Sequence, residues 1–308
     1  MSASKHKHKH RHRHPVNEKN LLVATFLNTV IALVELAGGI LSGSLALFSD
    51  ALHNLSDAFS TFIAYMATLI GKREANAKRT FGYKRIEILA ALINAVILIV
   101  ISVFLMKEAW ERWNEPEPID SKIMLVVAMI GLLANVYALL LLKRDAGKSI
   151  NVKAAYIHLI GDSLSSVVVI AGGVSMALFE IYWVDPLITV FISLYIIRSG
   201  FLILKESVNI LMQSAPDHLD LPAIKNRVEQ IPQVLNIHHI HAWMLTDREI
   251  HVEAHVELNS DLALSEVKNI QQEIERLLKK NFSVHHVTLQ FEYLADHAPS
   301  LIHNKSFS

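Results

Sequence analysis

The sequence predicts two structural regions, an all-α bundle of six transmembrane helices and a C-terminal α+β domain. Three observations predict this division. The 308 residues are 52% hydrophobic, with a mean hydropathy of +0.34. Six apolar stretches are each long enough to cross about 30 Å of hydrocarbon. After about Glu206 these stretches end, and shorter segments with strand and helix periodicity follow.

Residues 1–19 are predicted to be a disordered cytosolic tail, because nothing in them can be buried. From Lys5 to His14 the tail alternates histidine with lysine or arginine. Two interpretations remain open: the tail collects metal weakly, or it is a basic segment that helps to orient the protein. The histidines concerned are His6, His8, His10, His12 and His14.

Residues 20–205 are predicted to form the transmembrane domain. Each apolar stretch would be a helix, since a helix rises 1.5 Å per residue and about 20 residues cross the hydrocarbon. The predicted spans are Leu21–Leu41, Leu45–Ile70, Ile86–Ala109, Ile123–Leu142, Ala154–Phe179 and Trp183–Leu204.

The charges of the loops predict the orientation. Cytoplasmic loops carry an excess of lysine and arginine. The loop between the second and third spans has six basic residues and one acidic residue: Lys72, Arg73, Lys78, Arg79, Lys84 and Arg85 against Glu74. The loop between the third and fourth spans has four acidic residues: Glu111, Glu115, Glu117 and Asp120. Both termini are therefore predicted to lie in the cytoplasm, in agreement with an even number of spans.

Residues 206–295 are predicted to form a compact cytosolic domain with the order α-β-β-α-β. A short helical pattern around Leu221–Gln230 precedes a β-rich stretch at Val234–Leu245. Apolar and polar residues alternate in Ile250–Leu258 and again in Val287–Tyr293, which is the period of half-buried strands. Between these two strands, Leu264–Lys280 has the apolar period of a helix. Residues 296–308 are predicted to be a flexible tail.

Two copies of the pattern His-x-x-x-Asp lie inside separate apolar spans. The first is His53 and Asp57, and the second is His158 and Asp162. A spacing of four places both side chains on one face of a helix. An ionised aspartate near the middle of a membrane helix costs about 2.5–3.5 kcal/mol, so such residues indicate function. Two imidazoles and two carboxylates are enough for a tetrahedral site for a divalent metal.

The composition and the candidate metal ligands argue against several other classes of protein. The chain has 29 basic and 29 acidic residues, whereas nucleic-acid-binding domains carry a basic excess. It has no cysteine, so thiolate ligands are excluded. A membrane metalloenzyme is disfavoured, because four protein ligands leave no open position for catalytic water. A metal sensor without transport would leave the intramembrane carboxylates unexplained.

Several motifs resemble the cation diffusion facilitator family, in particular its zinc-transporting branch. They are SDALHNLSDAFS in the second span, RTFGYKRIEILAAL at the start of the third, NVKAAYIHLIGDSLSSV in the fifth, and IHAW in the cytosolic sheet. The resemblance covers residues 20–292. It implies six transmembrane helices, a ferredoxin-like cytosolic domain, homodimers, and export of divalent metal in exchange for protons by alternating access.

The resemblance assigns the transport site to His53, Asp57, His158 and Asp162. Because histidine is present on both helices, the expected metal is zinc, with cadmium or cobalt also accepted, rather than magnesium or manganese. Zinc is expected both as transported substrate and as regulatory ion. The expected location is the plasma membrane of a bacterium. Asp50, one turn before His53, is expected to support the site.

A second, cytosolic metal site is implied by the resemblance at His241, His255, His285 and Glu292. The strand period leaves two alternatives open. His286, rather than His285, shares a face with Glu292, and His251 shares a face with His255.

Two further expectations concern charged residues. Glu35, inside the first span, is a candidate for a gating or solvation role. Some members of the family join the membrane and cytosolic parts by a salt bridge, for which Lys84 or Arg85 could supply the base. Where the acid would stand this chain has Gln213, and Asp217 is the nearest substitute.

Overall fold

The computed structural model describes residues 18–71, 75–143, 150–294 and 300–302. The histidine-rich tract and most of the predicted C-terminal tail lie outside the described residues. Six long helices come first, α1 to α6, as the apolar stretches predict. Their bounds are Glu18–Ser42, Leu45–Gly71, Ile86–Asn114, Ser121–Lys143, Ile150–Phe179 and Val184–Leu211.

Five of these helices are long and apolar enough to cross a membrane, which gives a helical transmembrane domain. They are α1, α3, α4, α5 and α6. Within the described residues α2 does not meet the same standard, although it is 27 residues long. Its polar side chains, among them Asp50, His53 and Asp57, lower its hydropathy. The polar residues of the predicted site thus make its own helix the least apolar by this measure.

The chain divides into two compact units. The first comprises Met1–Phe62 and Asn94–Phe201. In it, α4 packs against both α1 and α5. Buried apolar side chains from several helices, including Leu47, Met124 and Val169, form a core between them.

The second unit comprises Ile63–Ile93 and Leu202–Ser308. It contains a three-stranded sheet in the order β1 (Val234–Met244), β2 (Ile250–Leu258) and β3 (His286–Tyr293). Strand β2 is antiparallel to β1 and parallel to β3. The α+β prediction for this region is confirmed.

Two helices complete the C-terminal part of this unit, α7 (Leu221–Val228) and α8 (Leu264–Phe282). The Asp220 side chain caps α7 by accepting a hydrogen bond from the backbone N–H of Ala223 at 3.0 Å. Apolar side chains of both helices and of the strands form one buried core, which includes Ile224, Val252 and Ile274. Because this core holds the sheet rigid, polar side chains on the strands are positioned well enough to form a site.

The segment between α2 and α3 contacts the C-terminal sheet within this second unit. Lys84 Nζ lies 2.6 and 2.8 Å from the two carboxylate oxygens of Glu249, and the Phe81 ring meets His251 edge-on. Lys84 therefore pairs with Glu249, just before β2, and not with Asp217, the nearest substitute that the sequence offered. The reason is the fold, which brings the β1–β2 turn to this segment.

Candidate metal centres

The four residues of the repeated His-x-x-x-Asp pattern converge in the first unit. Their closest atoms form a chain across α2 and α5. His53 Nε2 lies 3.5 Å from Asp57 Oδ2. The same oxygen lies 3.2 Å from His158 Nε2, which is 3.6 Å from Asp162 Oδ2. Asp57 therefore stands between two imidazoles that come from different helices.

Several polar atoms of this centre are buried without a hydrogen-bond partner. They are His53 Nδ1, Asp57 Oδ2 and Asp162 Oδ2. Asp162 is 3% exposed, whereas the His158 side chain is 42% exposed. Buried carboxylate oxygens that accept no hydrogen bond are costly unless a cation or a proton compensates them. The geometry thus suits a bound cation, and the assignment of these residues as metal ligands remains a prediction.

The centre lies between two cavities of the first unit. One, of about 310 Å³, has Asp57 and His158 in its wall together with Thr25, Asn28 and Thr61. The other, of about 790 Å³, is lined by His53, His158 and Asp162, and by the apolar residues Leu164, Val168 and Phe191. His158 is in the wall of both. A group bound at the centre can therefore be reached from either cavity.

A buried aspartate fixes the start of α2, and it was missed by the sequence reasoning. Asp185, at the start of α6, accepts hydrogen bonds from Ser44 Oγ at 2.5 Å and from the backbone N–H groups of Leu45 at 2.8 Å and Ala46 at 3.2 Å. It is fully buried. A carboxylate at this position caps the helix and complements its dipole. No local signal reveals it, because Asp185 is about 140 residues from its partners.

A second buried polar group lies beside His53. Asn54 Nδ2 donates to Glu35 Oε2 at 2.9 Å, and both residues are almost completely buried. The other oxygen of Glu35 packs against Gly131, where a Cβ atom would lie 2.1 Å from it. This contact ties α1, α2 and α4 together beside the centre. A gating role for Glu35 remains a prediction.

Asp50 and Tyr195 complete the surroundings of His53. Asp50 accepts a hydrogen bond from Ser165 Oγ of α5. The Tyr195 ring, from α6, meets the His53 ring edge-on at 5.8 Å. This hydrogen bond joins α2 to α5 one turn from His53, and the supporting role expected of Asp50 remains a prediction.

The C-terminal sheet carries a tighter group of ligand atoms. Among the described residues, one set of three has ligand atoms all within 4.8 Å of one another: His238, His255 and Glu292. His255 Nδ1 lies 2.6 Å from Glu292 Oε1, and His238 Nε2 lies 3.4 Å from Glu292 Oε2. Three strands contribute one residue each, and we call this set the sheet cluster.

The sheet cluster contains two of the four residues that the family resemblance assigned. His255 and Glu292 are members, whereas His238 stands where His241 and His285 were expected. The reason is a register shift in β1 between His238 and His241, at which His239 has a positive φ of 53°. The bulge places His238 opposite His255 and moves His241 opposite Glu253.

His285 lies just before β3, in a backbone contact. Its Nδ1 accepts a hydrogen bond from the Ile250 N–H at 3.3 Å, and its own N–H donates to the Ile250 carbonyl at 2.9 Å. His286, the alternative to His285, pairs in register with His251 at the far end of β2 from the sheet cluster. His285 is held in this backbone contact, and His286 lies six residues before Glu292 along β3, too far away to bind the same ion.

The electrostatics of Glu292 favour a cation. Burial acts to raise its pKa, but the hydrogen bond with His255, the charge of His255 and a hydrogen bond from Gln290 outweigh it. The pKa of Glu292 therefore lies below its usual value. The carboxylate is ionised at neutral pH, which is the form that binds metal.

Comparison with known proteins identifies the family. The description "Cation efflux transmembrane domain" matches residues 21–212, and "Cation efflux protein, cytoplasmic domain" matches residues 216–294. The chain belongs to the cation efflux family. This family is the one also called the cation diffusion facilitators, so the resemblance seen in the sequence is confirmed.

Named relatives of this cation efflux protein extend over nearly its whole length. The metal cation efflux system protein CzcD of Cupriavidus metallidurans is 37% identical over 95% of both chains. The zinc transporter ZitB of Escherichia coli is 36% identical over 95% of this chain and 93% of its own. A cadmium, cobalt and zinc/H(+)-K(+) antiporter of Bacillus subtilis is 36% identical over 90% and 89%. Together with the five apolar helices, the family shows that this chain is a multi-pass membrane protein.

Proposed function

We propose that this protein is a secondary antiporter that exports zinc from the cytosol in exchange for protons. The observation that carries the proposal is the convergence of His53, Asp57, His158 and Asp162 between two cavities of a helical membrane domain. Two imidazoles and two carboxylates suit a tetrahedral divalent ion. The names of the relatives, which include zinc, cadmium and cobalt, support the same metals here.

The smaller cavity is the proposed cytosolic entrance. It is lined by Thr25 and Asn28 in the N-terminal half of α1 and by Thr61 in the C-terminal half of α2. The loop charges assign these helix ends to the cytosol. The larger cavity reaches Val168 and Phe191, nearer the opposite ends of α5 and α6, and forms the proposed exit. Alternating access closes one cavity while the other opens.

Exchange with protons follows from the chemistry of the ligands. A histidine or aspartate must lose its proton to hold a metal ion, so binding of zinc releases protons. Asp57 Oδ2 is within 3.5 Å of both imidazoles, and in the absence of zinc a proton on His53 or His158 would neutralise it. Acid on the exit side then displaces the ion.

Selectivity among metals follows from the mixed donor set. Imidazole nitrogen favours zinc, cobalt and nickel, whereas sites made of oxygen alone favour magnesium, calcium or manganese. The histidines on both helices therefore support zinc, and cadmium or cobalt as further substrates. No thiolate contributes, since the chain has no cysteine.

The remaining parts of the proposal concern architecture and control. All six long helices cross the membrane, α2 included, with both termini in the cytoplasm of a bacterial cell. The C-terminal domain has a ferredoxin-like fold and joins two copies as a homodimer. The sheet cluster binds a regulatory zinc ion through His238, His255 and Glu292, and this ion favours transport when metal is abundant.

Zinc-driven proton flux in vesicles containing the purified protein tests the function. In the wild type, zinc that moves down its gradient should drive protons in the opposite direction. The Asp162→Ala protein should still fold and insert but should show no such flux. Asp261→Ala, an exposed aspartate of the C-terminal domain, is the matched control and should leave the flux unchanged. Flux that survives Asp162→Ala would overturn the assignment of the centre. Zinc binding without any flux in the wild type would favour a metal sensor, and hydrolysis of a membrane substrate an enzyme.

A further inference from the structure

A second group of histidines lies at the other end of the sheet from the sheet cluster. The strand register aligns Trp243 of β1 with His251 of β2, and His251 with His286 of β3. His251 stands in the middle of this row and is 5% exposed, whereas His286 is exposed. All of these residues belong to the second unit.

Aromatic contacts hold the ring of His251 in place, but one of its nitrogens has no hydrogen-bond partner. The ring stacks on Trp243 at 5.4 Å and meets Phe81 edge-on at 5.7 Å. Nδ1 is buried and has no hydrogen-bond partner. A buried polar atom in this state is destabilising, and aromatic contacts do not compensate for it. A ligand that accepts the lone pair of an imidazole would do so.

Several groups around His251 lower its pKa. Burial is the largest cause and the charge of His286 is the next, and Lys84 and His285 act in the same direction, against Glu249. Lys84 does not face the row as a free cation, because Glu249 pairs with it at 2.6 Å.

We propose that His251 and His286 together bind a divalent ion of the class that prefers imidazole, such as zinc, cobalt or nickel. Two imidazoles on one tetrahedral zinc, with Zn–N bonds of 2.0–2.1 Å, place their ring centres about 5 Å apart. The rings of His251 and His286 are 5.0 Å apart. Water completes the coordination on the exposed side.

This site is separate from the sheet cluster. His251 and His255 are four residues apart on β2, which is about 13 Å along a strand. One ion cannot be shared over that distance. The row also contacts the segment between α2 and α3 through Phe81, so an ion bound there adjoins the part of the second unit that lies between two membrane helices. The inference does not depend on transport.

Trp243 provides a local reporter for the experiment. The full-length protein with Trp110, Trp113 and Trp183 changed to phenylalanine retains Trp243 as its single tryptophan. Cobalt(II), which quenches tryptophan at short range, is titrated into this protein. We expect saturable quenching with micromolar midpoint, and we expect His286→Gln to raise the midpoint at least about tenfold.

A matched substitution separates the two ends of the sheet. His238→Gln removes a member of the sheet cluster and should leave the quenching of Trp243 unchanged. Since His286 is exposed, His286→Gln should not disturb folding, and circular dichroism checks this. Unchanged quenching in His286→Gln overturns the proposal, as does quenching that is lost in His238→Gln. Quenching that never saturates means adventitious binding only, and also overturns it.

Discussion

The group formed by His53, Asp57, His158 and Asp162, which we call the membrane centre, and the sheet cluster contain the same two kinds of side chain, imidazole and carboxylate, but are assembled in different ways. In the membrane centre, α2 and α5 each supply a histidine and an aspartate one turn apart, so the centre forms when these two helices pack against each other. In the sheet, three strands supply one residue each, and their alignment depends on the register of β1. In the membrane centre each histidine and aspartate pair is close in sequence, whereas the three residues of the sheet cluster are far apart in sequence.

The two centres also differ in what surrounds them. Buried polar groups support the membrane centre: Asp185 caps α2, Glu35 holds Asn54, and Asp50 accepts from Ser165. The sheet cluster has backbone ladders and an apolar core behind it, but its face is partly open to solvent. A change near the membrane centre should therefore cost more than a comparable change near the sheet cluster.

The largest expected effect is that of Asp57→Ala. Because Asp57 Oδ2 is close to both imidazoles, its loss removes the group that joins α2 and α5 at the centre. Zinc transport in vesicles should fall by more than about a hundredfold, which corresponds to about 2.7 kcal/mol or more. Zinc binding at the sheet cluster should stay the same in a titration of the same protein. Equal losses at both centres would contradict their independence.

The next effect concerns the cap of α2. Asp185→Ala leaves Ser44 and the N–H groups of Leu45 and Ala46 without their buried acceptor. We expect the free energy of unfolding of the membrane domain to fall by about 3 kcal/mol. Asp120→Ala is the control, since Asp120 caps α4 from an exposed position and its loss should cost only about 1 kcal/mol. Denaturation in detergent measures both, and similar costs would show that burial of the cap is unimportant.

A third change tests the packing of Glu35. In Gly131→Ala the new Cβ would lie 2.1 Å from Glu35 Oε1, so the side chain or α4 must shift. Overpacking of this kind costs about 1–3 kcal/mol. Gly161→Ala, where nothing lies within 4 Å of the Cβ, should be neutral or stabilising by up to about 1 kcal/mol. Thermal unfolding of the two variants should therefore shift in opposite directions or differ clearly in size.

The smallest of these effects tests the sheet cluster. His238→Ala should weaken cytosolic zinc binding by about tenfold or more, whereas His241→Ala should change it little, because the bulge places His238 and not His241 opposite His255. Calorimetry on Asp162→Ala protein, in which the membrane centre is impaired, measures the remaining site. A larger loss in His241→Ala would favour the ligand set that the family resemblance implied.

The sequence predicted most of the membrane domain, because its signals are local. Apolar length marks a span, and the i, i+4 spacing brings His53 to Asp57 and His158 to Asp162 without knowledge of the rest of the fold. The period of the apolar residues likewise predicted the α-β-β-α-β order of the C-terminal domain.

What the sequence could not reveal depends on contacts between distant segments or on a break in period. Asp185 meets α2 from about 140 residues away, and Glu249 reaches Lys84 across 165 residues. The β-bulge at His239 changes which histidines share a face, and strict alternation gives no sign of it. The choice of His241 and His285 came from the family resemblance, whereas the bulge in β1 places His238 opposite His255.

The cap formed by Asp185 also limits how the membrane domain can move. The first residues of α6 and the first turn of α2 share three hydrogen bonds in an apolar interior. Separation of these two helix ends would leave all three donors, Ser44 Oγ and the N–H groups of Leu45 and Ala46, without an acceptor. In a conformational change that opens this side of the domain, we therefore expect the N-terminal ends of α2 and α6 to move together as one rigid body. The relative motion would then occur between this pair and the other helices.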